Sequence, residues 1–330
     1  MNLKSKKTLV TGAAGFIGSH LVEALVKEGA CVVAFVHYNS RADYGNLRYL
    51  PKDTMKNVEL VMGDICDSSA VDSAIQGCDA VFHLAALIGI PYSYVAPRSY
   101  VATNISGTMN VLEAVRRNGI ARMVHTSTSE CYGTAEYVPI DEKHPLKGQS
   151  PYSASKIGAD KMVESYVKSF ELPAVTVRPF NTYGPRQSAR AVIPTIISQL
   201  IAGNKKVVLG SLTPERDLTF VKDTARGFIL AAKTDKAIGQ TINLGNGSCI
   251  SIGDLADKIV QQLSPDAEIV SAKERVRPEN SEVMKLMCDN SKAKSVLGWK
   301  PEISLDEGLK RTAEFIRINQ DLFRPETYTI

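Results

Sequence analysis

Short apolar runs recur along the first half of the chain. Residues 8–10, 31–36, 58–62, 80–84, 123–126 and 174–178 are apolar at most positions rather than at alternate ones. Strands covered on both faces carry that pattern, and they belong to parallel sheets flanked by helices. Between the runs lie segments 17–28, 68–76, 100–118 and 152–170, where apolar residues fall at helical spacing. Strand and helix alternate. The pattern predicts an α/β fold built on a Rossmann-like, doubly wound parallel sheet.

After residue 178 the alternation loosens, and Pro179, Pro185, Pro194, Pro214, Pro278 and Pro301 punctuate the chain. Residues 240–245 are expected to return as a last strand of the first sheet. The expected organisation is a nucleotide-binding domain over 1–180 with that returning strand, and a smaller C-terminal α/β substrate lobe over 181–330, partly interleaved with it. A chain of 330 residues is long enough for both.

Charge narrows the partners. Lysine and arginine number 39 against 35 acidic residues, a net charge of +4. The basic residues are scattered, whereas a nucleic-acid surface needs a stripe. Scattered arginines fit an anionic small molecule. Cys31, Cys66, Cys78, Cys131, Cys249 and Cys288 lie far apart, and His20, His37, His83, His125 and His144 show no metal-ligand spacing. Reduced thiols and no metal are expected. With no signal-peptide pattern and no apolar run of bilayer length, the expected location is the cytoplasm.

Gly12, Gly15 and Gly18 recur at three-residue spacing between the first strand and the first helix. Gly12 permits a tight turn, Gly15 lets backbone N–H groups approach a pyrophosphate, and Gly18 lets helix and strand pack closely. That is the dinucleotide fingerprint, with Phe16 and Ile17 opening the helix. The carboxylate that usually binds the adenosine ribose is missing after the second strand, where Asn39, Ser40 and Arg41 stand instead. NAD and NADP both remain open. Asp64 and Ile65 after the third strand, and Leu84, Ala85 and Ala86 after the fourth, are the expected walls of the cofactor cleft.

Tyr152 and Lys156 stand four residues apart, on one face of a helix. A tyrosine ionises near pH ~10 and is a poor base at neutrality. A neighbouring ammonium and a cationic nicotinamide would favour its phenolate, which could then take a hydroxyl proton while hydride leaves the same carbon. Between the two signatures lies Thr126-Ser-Thr-Ser-Glu130, which puts a carboxylate at the end of a buried strand. Such a group is costly unless paired or used.

Together these motifs resemble the extended short-chain dehydrogenase/reductases. The carriers are Thr11-Gly-Ala-Ala-Gly-Phe-Ile-Gly18, His83-Leu-Ala-Ala86, Asn104-Ile-Ser-Gly-Thr108, Thr126 to Gly133, Tyr152 with Lys156, Arg178-Pro-Phe-Asn-Thr-Tyr-Gly-Pro185, Arg216-Asp217 and Val221-Lys-Asp223. Thr128-Ser129-Glu130 resembles the nucleotide-sugar 4,6-dehydratases. With Arg186-Gln-Ser-Ala-Arg190 and Arg277-Pro-Glu-Asn280, the chain is most similar to dehydratases of NDP-N-acetylglucosamine in legionaminic-acid-type pathways. The resemblance implies that Tyr152 is the C4-hydroxyl base, Lys156 its electrostatic partner and Thr128 a hydrogen-bond donor to the C4 oxygen. It makes Glu130 the base for the C5 proton and gives Glu130 or Ser129 the leaving hydroxyl. It places Asn104 at the cofactor.

A nucleoside diphosphate calls for arginine, which suits phosphate. Arg216 and Arg277 are the expected diphosphate ligands, Asn181 a phosphate or sugar ligand, and Arg190 either a substrate ligand or a surface residue. By the same resemblance, helices near 100–118 and 152–170 pair with a second copy in a homodimer. UDP and GDP are both open as the nucleotide. The competing readings are a UDP-glucuronate decarboxylase, an NDP-sugar 4-epimerase and, from another class, a non-catalytic NADP-sensing protein, which would need neither Tyr152 nor Lys156.

Overall fold

The computed structural model describes residues 1–272 and 283–323. The first six apolar runs form strands β1 (Lys7–Thr11), β2 (Cys31–His37), β3 (Val58–Gly63), β4 (Ala80–His83), β5 (Arg122–Thr126) and β6 (Ala174–Pro179). Four short strands follow in the second lobe, β7 (Asn181–Tyr183), β8 (Lys206–Leu209), β9 (Glu215–Arg216) and β10 (Leu218–Phe220). The chain then returns to the first sheet as β11 (Thr241–Leu244), parallel to β6. The seven-stranded sheet runs β11-β6-β5-β4-β1-β2-β3. Strand order reverses between β1 and β4, and a crevice opens at the carboxyl ends of strands at such a point.

Helices cover both faces, as the apolar runs require. On one face the Phe16–Lys27 and Val221–Lys233 helices pack Leu21, Leu25 and Phe228 against the sheet, with Trp299 wholly buried beside them. On the other, the Ser68–Ile75, Gly107–Arg117 and Pro151–Phe170 helices bury Val71, Ile75, Val111, Val115 and Val163. The Val221–Lys233 helix comes from the second-lobe stretch of the chain yet belongs to the first core. Asp223 holds it there. Its carboxylate accepts the N–H groups of Glu302 and Ile303, and its carbonyl accepts the Trp299 indole N–H at 2.9 Å.

The segment read as one helix over 100–118 is built in three joined pieces. An α-turn at Pro97–Tyr100 runs into a π-helical stretch at Val101–Ser106, and the α-helix resumes at Gly107–Arg117. At the junction Thr108 donates its hydroxyl to the Asn104 carbonyl at 2.6 Å, a bond that competes with the backbone ladder.

The smaller lobe closes around Ile196, Leu255 and Leu309, from helices Val192–Ile201, Ile252–Leu263 and Leu305–Ile318. Its remaining strands are β12 (Ile250–Ser251), β13 (Glu268–Ser271) and β14 (Lys285–Leu286). β9 sits between β12 and β14, and β7 pairs with β10, so Asn181 lies opposite Leu218, two residues past Arg216. Among the described residues no helix is long and apolar enough to cross a membrane.

Candidate active site

The glycine loop lies where β1 meets β4. Gly12 adopts φ +69°, and a Cβ there would stand 2.7 Å from the Ala85 nitrogen. A Cβ on Gly18 would stand 2.2 Å from the Gly12 carbonyl oxygen. Both positions therefore exclude every side chain, one by conformation and contact, the other by contact alone. Gly15 is the N-cap of the Phe16–Lys27 helix and supplies no side chain to it. The first N–H groups, on Phe16 and Ile17, are left to an external acceptor. The Phe16 side chain packs toward the second lobe and that of Ile17 touches both cores, so their share in a cofactor site is through the backbone. This cradle fits a dinucleotide pyrophosphate.

The cleft walls are mutually braced. The Thr11 hydroxyl accepts the N–H groups of Leu84 and Ala85, each at 3.2 Å, and so donates to His83 Nδ1 at 2.7 Å. His83 Nε2–H then donates to Thr108 at 3.0 Å. Asn104 is wholly buried. Its amide accepts from the Leu87 N–H and donates to the Leu87 carbonyl and the Ser155 hydroxyl. Asn104 thus ties the β4 exit to the helix of Tyr152, through bonds within the chain. Ile65 is buried against Gly107, and Asp64 caps the Cys66 N–H, 3.8 Å from His37.

After β2, Asn39 shapes the turn by accepting from the Arg41 and Asp43 N–H groups. Ser40 and Arg41 are exposed at its tip. Asp43, the first carboxylate past β2, lies six residues beyond the strand, and Arg48 holds it at 2.6 Å. It stands too far along for the usual ribose contact to have been read from it.

Ser150 and Ser153 form a capping box that starts the Pro151–Phe170 helix and presents Tyr152 one residue into it. Tyr152 and Lys156 are both buried. The Lys156 ammonium donates to the Thr126 carbonyl at 2.6 Å. Burial is the largest influence on Tyr152 and pushes its phenol well above the ordinary tyrosine range. The Thr128 hydroxyl opposes that, while the nearby Glu130 charge reinforces it. Within the chain alone desolvation disfavours the phenolate, so the positive charge of a bound nicotinamide is needed beside the lysine to favour it. The Lys156 ammonium is itself pushed down by burial, and Asp160 resists that.

Thr126 to Glu130 leaves β5 at the same end of the sheet. Thr128 is the N-cap of a short 3-10 turn at Ser129–Tyr132 and accepts the Glu130 N–H at 3.2 Å. Ser129 is buried and Glu130 half-buried. Thr126 Oγ1 is buried without a hydrogen-bond partner. Thr128 and Glu130 lie close enough to Tyr152 to act on its phenol, and Lys156 is tied to the exit of the strand that leads to them.

Beneath them lies a buried polar network that was not read from the sequence. Asp160 accepts from Ser127 at 2.7 Å, from His125 at 3.2 Å and twice from Arg178, at 2.8 and 3.1 Å. Arg178 also donates to the Tyr132 hydroxyl, which donates to Asn243 at 2.7 Å. The available signal was spacing, since Tyr152, Lys156 and Asp160 fall at i, i+4 and i+8 on one helix face.

In the second lobe, Arg216 is buried on β9 and donates to the Glu215 carbonyl. Asp217 beside it is fully buried and accepts three backbone N–H groups, from Asn246, Gly247 and Cys288. Asn181 Oδ1 is buried without a partner. Arg190 is exposed, with Nη1 3.0 Å from where a Gly89 Cβ would stand, near the Tyr100 hydroxyl. Tyr100 in turn packs edge-on against Tyr152, ring centroids 6.3 Å apart. Arg277 lies outside the described residues. Among the described residues no cluster of three or more histidine, cysteine or acidic side chains is arranged to hold a metal.

Residues 9–312 match the family described as GDP-mannose 4,6 dehydratase. The chain is 33% identical to the dTDP-glucose 4,6-dehydratase of an Actinoplanes species, over 95% of this chain and 98% of that one. The dTDP-glucose 4,6-dehydratase DesIV of Streptomyces venezuelae, solved with NAD bound, superposes with a TM-score of 0.86 at 28% identity, covering 97% of this chain and 100% of the other. A UDP-N-acetylglucosamine 4-epimerase from Methanobrevibacter ruminantium, in complex with UDP-N-acetylmuramic acid, superposes at 0.86 with 30% identity, over 96% and 99%. A glycine cradle at the switch point, a buried Tyr-Lys pair and these end-to-end matches together place the chain: it belongs to the GDP-mannose 4,6 dehydratase family of extended short-chain dehydrogenase/reductases, enzymes of the nucleotide-sugar dehydratase and epimerase kind.

Proposed function

We propose that the enzyme is a 4,6-dehydratase of a nucleoside-diphosphate hexose, NDP-N-acetylglucosamine with UDP or GDP as the nucleotide. The observation that carries this reading is Glu130. Its backbone is held in the 3-10 turn after β5, and its charge is close enough to act on the Tyr152 phenol. A redox step alone needs no such carboxylate; removal of the C5 proton from a 4-keto sugar does. The relative whose name carries UDP-N-acetylglucosamine supports the acetamido sugar.

Gly12, Gly15, Gly18 and the N–H groups of Phe16 and Ile17 would hold the cofactor pyrophosphate, with Leu84 to Ala86 as the wall. The neighbour solved with NAD supports a nicotinamide dinucleotide, and Asn39, Ser40 and Arg41 leave NADP open. When bound, the cofactor supplies a hydride acceptor for C4, a donor for C6 and a positive charge near the phenol. Tyr152 removes the C4 hydroxyl proton, with Lys156 stabilising the charge that develops. Thr128 donates to the C4 oxygen. Glu130 takes the C5 proton, and Glu130 or Ser129 protonates the departing C6 hydroxyl. Arg216, Arg277, Asn181 and Arg190 bind the nucleotide sugar between a cofactor domain over 1–180 and a substrate lobe over 181–330.

Exposed Val101, Met109 and Phe170, on the two helical segments named above, support a homodimer through them. The assignment is tested by incubating the protein with UDP- and GDP-linked N-acetylglucosamine, glucose, mannose and glucuronate, followed by mass spectrometry. Loss of one water with a 4-keto product is expected. Loss of carbon dioxide would establish a decarboxylase, and an unchanged mass with inverted C4 an epimerase.

A further inference from the structure

Asp160 is a buried carboxylate that the proposed chemistry does not use. Its four donors come from two strands and a strand exit: His125 on β5, Ser127 just past it, and Arg178 on β6. Two of them, His125 and Ser127, flank Thr126, whose carbonyl receives the Lys156 ammonium. Lys156 and Asp160 are one turn apart on the same helix. The helix therefore grips the end of β5 twice, once through Lys156 at residue 126 and once through Asp160 on either side of it. We propose that Asp160 is a positioning residue, which holds the Thr126 carbonyl in register and keeps Lys156 as a charged ammonium beside Tyr152.

The ionisable surroundings of Lys156 leave Asp160 as the counter-charge. Tyr152 lies one turn above on the same helix. His83 on β4 and His125 on β5 are both driven toward their neutral forms by burial. Cys131 in the 3-10 turn is driven to the thiol, up to about 12. Arg178 on β6 is a cation and is paired to Asp160. Asp160 is held ionised, down to about 2, against its own burial by His125, Arg178 and Ser127. The simpler alternative is that Asp160 only neutralises Arg178.

The role rests on the assignment of Lys156 as the partner of Tyr152, and the two are separable by experiment. In the full chain loaded with NAD and carrying ¹³C-labelled lysine, the Lys156 ε-carbon signal is identified by its loss in Lys156→Arg. Asp160→Asn is expected to lower its titration midpoint by about one pH unit or more. Asp160→Glu, which keeps the charge, is expected to restore most of it. The alkaline limb of kcat should move down with it, while KM for the nucleotide sugar stays within about twofold. An unchanged midpoint in Asp160→Asn overturns the proposal. Should that variant fail to fold because Arg178 is left uncompensated, Arg178→Met and Asp160→Asn/Arg178→Met are compared, and the midpoint must fall from the first to the second. A wild-type protein inactive on every nucleotide sugar would defeat the proposed function, while the lysine titration would still decide the role of Asp160.

Discussion

The Lys156 ammonium is anchored on the carbonyl of Thr126, across 2.6 Å, which ties the cation to the strand end that leads into Thr128 and Glu130. Burial raises the phenol of Tyr152, one turn earlier on the helix. The cation and the phenol are thus coupled through a shared frame. Tyr152→Phe and Lys156→Met should each lower kcat by about 10²–10⁴ with little change in KM, as expected for proton-transfer machinery. Steady-state kinetics on the turned-over nucleotide sugar checks this.

Glu130→Gln keeps the shape of the 3-10 turn and removes the base. A single turnover should still oxidise C4, seen as absorbance of the reduced cofactor, while C5 exchange with deuterated solvent stops. Retained exchange would reassign the carboxylate.

Gly18 packs against the loop backbone with no room for a methyl group, its Cβ position 2.2 Å from the Gly12 oxygen. Gly18→Ala must push the Phe16–Lys27 helix from the glycine loop, at a cost of about 1–3 kcal/mol. Gly15→Ala meets the same oxygen at 3.2 Å and should be milder. Thermal melts with and without NAD should show Gly18→Ala losing both stability and most of the ligand-induced shift.

Asp217 is pushed up by burial to about 6, against three backbone N–H donors that lower it. A carboxyl raised in the fold holds its proton where the unfolded chain has lost it. Stability from this group is therefore complete below pH ~4 and falls as pH rises to about 6, by up to about 3 kcal/mol. Denaturant melts across that window should show the decline, and Asp217→Asn should flatten it.

Trp299 is fully buried and donates to the Asp223 carbonyl at 2.9 Å. Trp299→Phe leaves that carbonyl without its donor and should cost about 1–3 kcal/mol, whereas Trp299→Ala should cost about 3–5 kcal/mol. Urea unfolding curves distinguish the two.

The amino-acid sequence by itself determined the parallel sheet, because strands covered by helices are apolar at most positions, and the six apolar runs pair in it with the returning stretch at Thr241–Leu244. It also determined the glycine loop and the Tyr152–Lys156 face, since both depend on spacing within a few residues. The tertiary structure alone decided the rest. Asp160 gathers Ser127, His125 and Arg178 from segments up to 35 residues away, and no local pattern records that convergence. Asn104, inside the π-helical stretch, proved to be a brace between Leu87 and Ser155, and no local pattern names those partners. The upward push on the Tyr152 phenol comes from desolvation, which depends on everything packed around it and so exists only once the chain has folded.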